Sequence, residues 1–216
     1  MARPRSVNDD QINRAAREVF VEHGPSASVS LIARRLGVSH AALFGRAGSK
    51  KQLMLDALCP GRPRALEWLS EPPPPEGAED RLAEILVELM EFLQRVVPNL
   101  VILRVAGESM DSLPGASGPP PPVALRRALA GWLEAAACDG GIPPVHAPSV
   151  AEGLLGAMEA RCFNRYLGGE AFAPGDDREF VEELLRGLLR GLPGGLPGEL
   201  PGGRHAQGPP RAGGPR

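Results

Sequence analysis

Apolar residues in this chain recur every three or four positions and nowhere alternate with polar ones, and that spacing restricts the fold to packed helices. The pattern is strongest over 78–97, where Leu82, Ile85, Leu86, Leu89, Met90, Leu93 and Val97 form one stripe. It returns over 9–23 through Ile12, Ala15, Ala16, Val19 and Phe20, and over 122–138 through Leu125, Leu129, Trp132 and Leu133. Aromatics are only 4% of a chain that is 43% apolar, so the core must be built from Leu, Ala and Val, a composition that favours helices over sheet. The expected fold class is all-α, with about nine helices over 9–23, 29–36, 40–46, 49–58, 78–97, 99–110, 122–138, 148–167 and 176–191.

Turn chemistry divides the chain. Gly24-Pro25 ends the first helix and Gly37 the second, while Asn8, Ser28 and Ser39 stand where N-caps belong. Pro98 is expected to separate two helices, and Pro60-Gly61 to break or bend the chain after Leu58. EPPPPEG, 71–77, reads as a stiff spacer, and 112–122 as a loop. Residues 192–216 hold eight Gly and six Pro in 25 positions, a composition expected to be disordered. The expected domains are 1–50, 51–191 and that tail.

Charge is divided in the same way. Net charge is −2, but residues 1–52 carry +5 and residues 53–216 carry −7. A basic head on an acidic body is the asymmetry expected when only the head meets phosphate. Within the head, LIARRLGVSHAALFGRAGSK, 31–50, combines a short helix, a Gly-Val-Ser turn and a second short helix. That order suits a helix-turn-helix, in which the second helix offers its N-terminal residues to base edges. Arg34, Arg35, Arg46, Lys50 and Lys51 lie close by for phosphate. Arg3 and Arg5 form a short basic arm ahead of it.

Three stretches carry a resemblance to the TetR (AcrR-type) family of bacterial transcriptional repressors: an amphipathic helix ending in FVEHG, then S-x-x-x-I-A-x-x-L-G-V-S from Ser28, then L-F-x-R-x-x-S-K-x-x-L from Leu43. It covers about residues 9–55. The family usually carries tyrosine, histidine and phenylalanine at positions 44, 46 and 47, where this chain has Phe44, Arg46 and Ala47. Phe44 lacks a hydroxyl for phosphate, Ala47 lacks a ring to pack the helix, and Arg46 keeps a cation. The resemblance implies a three-helix DNA-binding head in which His40, Ala41 and Ala42 face the major groove. Ser28, Ser30, Ser39, Phe44, Arg46 and Lys50 then lie near phosphate or base edges. It also implies a homodimer on a palindromic duplex operator, with repression relieved by a small-molecule effector. A swing of helix 50–58 would move the heads, with the bend taken up at Pro60-Gly61.

The same resemblance gives the body two tasks. Helix 148–167 places Gly153, Gly156 and Ala157 beside Leu154, Leu155 and Met158; helix 176–191 carries Phe180, Val181, Leu184, Leu185 and Leu188. These are the expected dimer faces, with intrachain core as the alternative. The central helices are expected to enclose an effector cavity, with Met90, Phe92, Leu93, Leu103, Trp132, Met158, Phe163 and Tyr166 as lining candidates. Taken singly, each reads first as core; together, Met, Trp and Tyr suit an apolar pocket. Arg104, Glu108, Arg161 and Arg165 lie on the same helices and read either as polar anchors or as surface charges.

Other classes find less in the sequence. There is no GxSxG, P-loop, GxGxxG or HExxH, and the four His share no spacing with Cys or carboxylates, so neither an enzyme nor a cofactor is expected. Cys59, Cys138 and Cys162 are odd in number and far apart, which fits reduced thiols rather than a disulfide framework or a zinc site. MARPRSVNDDQ has no apolar core of a secretory signal and no 18-residue apolar run follows, so the expected location is the cytoplasm, with no membrane contact. The competing readings are a DNA-binding dimer without an effector and a helical module that binds acidic protein.

Overall fold

The structure, a computed structural model, describes residues 7–59, 61–108 and 121–190. The basic arm at 3–5, Pro60, most of the 112–122 loop and the Gly/Pro tail lie outside these described residues. Nine α-helices and no strand are found among them: α1 (Asp9–His23), α2 (Val29–Leu36), α3 (His40–Ala47), α4 (Lys50–Leu58), α5 (Ala65–Trp68), α6 (Ala78–Val105), α7 (Pro121–Cys138), α8 (Ala147–Gly168) and α9 (Asp177–Arg190). A single 3-10 turn, Gly169–Ala171, follows α8.

Local chemistry sets most of the ends. The Asn8 side chain accepts from the Gln11 backbone amide at 2.8 Å while Gln11 reaches back to the Asn8 amide at 3.0 Å, a full capping box on α1. Gly37 ends α2 at φ +69°, a left-handed conformation that an L side chain rarely adopts. Ser49 caps α4 by accepting from the Gln52 amide at 3.0 Å.

Two hydrophobic cores organise the chain. The first gathers Ile12, Ala16, Val19 and Phe20 of α1, Val29, Ile32 and Ala33 of α2, Leu43 of α3, and Leu53, Met54, Leu55, Ala57 and Leu58 of α4. The second is built from α6, α7, α8 and α9, with Leu82, Ile85, Leu86, Leu89, Leu129, Leu133, Leu154 and Val181 inside. α6 belongs to both: after its long run through the second core, Ile102 and Leu103 enter the first. At 1.5 Å per residue its 28 residues span about 42 Å.

Pro98 does not end a helix as its residue type suggests; it lies inside α6. An interior proline lacks one hydrogen bond and costs about 3 kcal/mol. The helix runs on because its two halves are anchored in different cores, by Leu93 and Val96 before the proline and by Ile102 and Leu103 after it. The next residue, Asn99, is the one buried polar side chain among the described residues, and its Oδ1 has no hydrogen-bond partner. Two further departures concern the spacer. A one-turn helix, α5, precedes it, and Pro73 within it is buried. Gly141, between α7 and α8, comes so near that a Cβ there would stand 2.8 Å from the Ala78 Cβ and 3.7 Å from the Pro74 carbonyl oxygen. The segment is packed against the body.

Polar contacts tie the helices together. Arg17 Nε of α1 donates to the Ala57 carbonyl near the end of α4 at 2.9 Å. Arg161 and Arg165 of α8 both bind Asp177, the first residue of α9, at 2.6 Å. Arg190 closes α9 onto Glu79 at the start of α6 at 2.8 Å.

Two outcomes test this packing. Leu89→Ala, at a fully buried position of α6, lowers unfolding free energy by about 3 kcal/mol in urea titration. Cys162 Sγ is buried 3.4 Å from Met90 Sδ, and burial first, then Asp177, pushes its thiol up to about 11. At pH 8 it therefore stays a protonated thiol, so iodoacetamide labels the exposed Cys138 and leaves Cys162 unmodified until denaturant is added, as read by peptide mass.

Candidate nucleic-acid interface and ligand cavity

α3 lies on the surface. Leu43 is its one buried residue, with Phe44 and Ala47 half-buried on the first core beside it. His40, Ala41, Ala42, Gly45 and Arg46 all face outward. The turn before the helix is fixed at both ends. Ser28 accepts from the Ser30 amide at 3.2 Å at the start of α2; Val38 lies half-buried in the turn; Ser39 accepts from the Ala42 amide at 3.1 Å at the start of α3. An exposed N-terminal turn with a capping serine presents backbone donors and a positive helix end outward, the electrostatics that attract phosphate.

The side chains on this surface are not all free to reach outward. The His40 ring leans over Phe44, with centroids 4.5 Å apart and planes tilted by 50°. Arg46 binds Asp9 Oδ1 at 2.6 Å and also donates to the Val7 carbonyl, so it fastens α3 to the start of α1. Arg35 reaches Glu18 and Glu22 at 3.4 and 3.2 Å. Lys51 is tied to Glu108, just past α6, at 2.7 Å, and the Glu108 side chain is only 11% exposed. Among the described residues Arg34 and Lys50 form no ion pair. Of the cations expected near phosphate, three are thus held by carboxylates of the same chain. Spacing could not reveal this, because the partners lie 13 or more positions away.

A second concave feature lies in the body. A cavity of about 630 Å3 opens between α6, α7 and α8, with Pro63 at one side. Its wall comprises Phe92, Leu93, Val96, Val97, Leu100 and Val101 of α6, Pro122, Leu125 and Arg126 of α7, and Gly156, Glu159, Ala160 and Phe163 of α8. Size and apolar lining suit a drug-sized molecule.

Of the lining residues expected from sequence, Phe92, Leu93 and Phe163 are on this wall. Met90, Trp132 and Met158 are instead buried in the second core, Leu103 is in the first, and Tyr166 is on the surface. Helical spacing identifies an inward face without saying whether that face meets another helix or a void. Arg126 and Glu159 carried no sequence signal, since charged residues on amphipathic helices are normally solvated. Arg161 and Arg165 are committed to Asp177 and do not reach the wall.

The residues expected to pair two chains also separate into groups. Leu154, Leu155, Met158, Val181 and Leu185 are buried by packing within the chain itself. Phe180 and Leu184 are half-buried, and Leu188 is 37% exposed, its methyl groups lying over Gly153. The inner strip faces α6, and the outward remainder is smaller: Gly153, Ala157, Leu184, Leu188 and, further along α8, Leu167.

Among the described residues no three His, Cys, Asp or Glu side chains gather in a way that could hold a metal ion, and no helix is long and apolar enough to cross a membrane.

Residues 12–57 match the family model for bacterial regulatory proteins, tetR family. No curated protein sequence matches the chain. Solved structures share its fold. One is a TetR family transcriptional regulator, PfmR from Thermus thermophilus, with TM-score 0.60 and 21% identity, covering 88% of this chain and 100% of that one. Another is FadR from Bacillus subtilis in complex with stearoyl-CoA, with TM-score 0.56 and 17% identity, covering 86% and 100%. A third is NalD of Pseudomonas aeruginosa, the secondary repressor of the MexAB-OprM multidrug efflux pump, with TM-score 0.55 and 20% identity, covering 84% and 96%.

The Ser39 cap gives a direct measure of how far α3 depends on its first turn. Ser39→Ala lowers thermal stability by about 1 kcal/mol, and Ser39→Asp, which caps equally well, restores it in the same calorimetric scan.

Proposed function

We propose that this chain, a TetR-family transcriptional regulator by the match of residues 12–57 and by its fold, acts as a homodimer on a palindromic DNA operator and is released by a small apolar effector. The head over residues 1–50 is the DNA-binding unit, the body over 51–191 the effector and dimerisation unit. The observation that carries this reading is the position of α6. Val96, Val97, Leu100 and Val101 wall the cavity, and the next two residues, Ile102 and Leu103, are packed inside the head.

In this reading α3 lies in the major groove. His40, Ala41 and Ala42 meet base edges, and Ser28, Ser30, Ser39, Phe44, Arg46 and Lys50 lie at or near the phosphates. Arg46 then has two roles, since its Asp9 contact also fixes the angle of α3 against α1. A duplex approaching the head adds phosphate acceptors around an exposed guanidinium, and Arg46 can bind both. The second copy packs against the outward remainder of α8 and α9, setting the two α3 helices a helical turn of DNA apart, about 34–36 Å, or a multiple of it.

Release follows from linkage. A molecule in the cavity displaces α6 relative to α7 and α8, and because α6 is rigidly seated in the head core, the head moves with it. The Lys51–Glu108 ion pair adds a second tie between α4 and the end of α6. The effector must bind the released arrangement better than the DNA-bound one, or no shift occurs. Pro98 lies between cavity-wall residues of this helix, where the hydrogen-bond ladder is already interrupted. A head that binds DNA acts in the cytoplasm, and a dimer occupying an operator acts as a repressor.

Selection of bound duplexes from a random pool tests the whole reading, with an inverted repeat as the expected result. On the selected site, Lys50→Ala weakens binding evenly across sequences and reduces the slope of log K against log salt by about 1. His40→Ala relaxes preference at one base position of each half-site and costs about 1–3 kcal/mol there. No enrichment from the pool, together with a monomer in sedimentation, would overturn it.

A further inference from the structure

Arg126 is the one cation on the cavity wall and Glu159 the one carboxylate among its described lining residues. All three guanidinium nitrogens of Arg126 already donate: Nε to Glu152 at 2.7 Å, Nη2 to Glu159 at 3.1 Å and Nη1 to the Pro122 carbonyl at 3.4 Å. Two carboxylates against one guanidinium leave this polar corner with a net negative charge. An anionic headgroup that takes the remaining Nη–H donors of Arg126 stands beside both carboxylates, whose charge outweighs that of the single guanidinium. A cation meets the opposite situation: it shares Glu159 with Arg126 Nη2 and is drawn by the surplus carboxylate charge of the corner.

The remainder of the wall supports the same conclusion. Phe92 and Phe163 add aromatic rings, the side-chain type whose π faces attract cations, to a wall otherwise built mainly from aliphatic residues such as Val96, Val97 and Leu100. Nearby cations do not restore the balance. Arg64, beside Pro63, is held 5.1 Å above the Trp68 ring, and Arg62 is exposed and absent from the wall.

We infer that the cavity between α6, α7 and α8 takes a lipophilic cation and discriminates against an anionic amphiphile of the same shape, with Glu159 as the residue that sets this preference. The inference rests on the effector reading of the cavity given above.

Tetraphenylphosphonium and tetraphenylborate are nearly isosteric ions of opposite charge, which isolates the electrostatic factor. Both are titrated into the full-length protein, with tryptophan fluorescence as the readout. The phosphonium binds about tenfold or more tighter than the borate, corresponding to at least about 1.4 kcal/mol. Glu159→Gln narrows that gap severalfold while leaving the melting temperature near that of the parent. Ala160→Trp, which fills the cavity from α8, removes binding of both ions. Equal or tighter binding of the borate, no binding of either ion, or phosphonium binding that survives Ala160→Trp overturns the inference. Phosphonium binding with the expected preference but unchanged operator affinity supports the charge preference and overturns the effector role instead.

Discussion

One helix with its two ends in different cores is the constraint on which the rest depends. α6 supplies the central stripe of the body and then two residues, Ile102 and Leu103, to the head. Close-packed cores resist shape change, and α6 is seated in two of them. The orphaned Asn99 Oδ1 and the proline before it mark the stretch between the two seats. An unpaired buried acceptor costs about 1–3 kcal/mol.

The head is held together by the same charges that give it a basic surface. Arg35, Arg46 and Lys51 bind Glu18 and Glu22, Asp9, and Glu108 respectively. Exposed pairs of this kind contribute little to stability and are weakened by salt. Their consequence is geometric: they orient α3 against α1, and α4 against the end of α6. Glu108 differs from the others in being nearly buried, which places its carboxylate where loss of Lys51 would leave it poorly solvated.

In the body, the residues that look suited to pairing with another chain are mainly those that pair α8 with α6. A helix of 22 residues can be apolar on one face because that face is internal, while on the next face Gly153 lies under the Leu188 methyl groups of the same chain. The cavity occupies the side where α8 turns Gly156 and Ala160 toward α6 and α7. Gly156 and Ala160 leave volume that larger residues would fill, so Gly156, one of the small residues expected to let helices approach, also helps create the void.

What the sequence determined by itself is everything governed by neighbours a few residues away. The 3.6-residue apolar period gave helices, and asparagine, serine and glycine at their ends gave caps and stops. The helix-turn-helix from Ser28 to Lys50 was legible because its turn, caps and exposed face are all local. What only the tertiary structure decided is where distant groups meet. Pro98 continues a helix because cores on either side hold it, and Leu103 packs in the head rather than around an effector cavity. Arg126 turns into the cavity wall with two carboxylates from α8, 26 and 33 residues away in the chain. Periodicity records that a face is buried; what buries it, or leaves it open as a void, depends on contacts between segments that the local sequence does not encode.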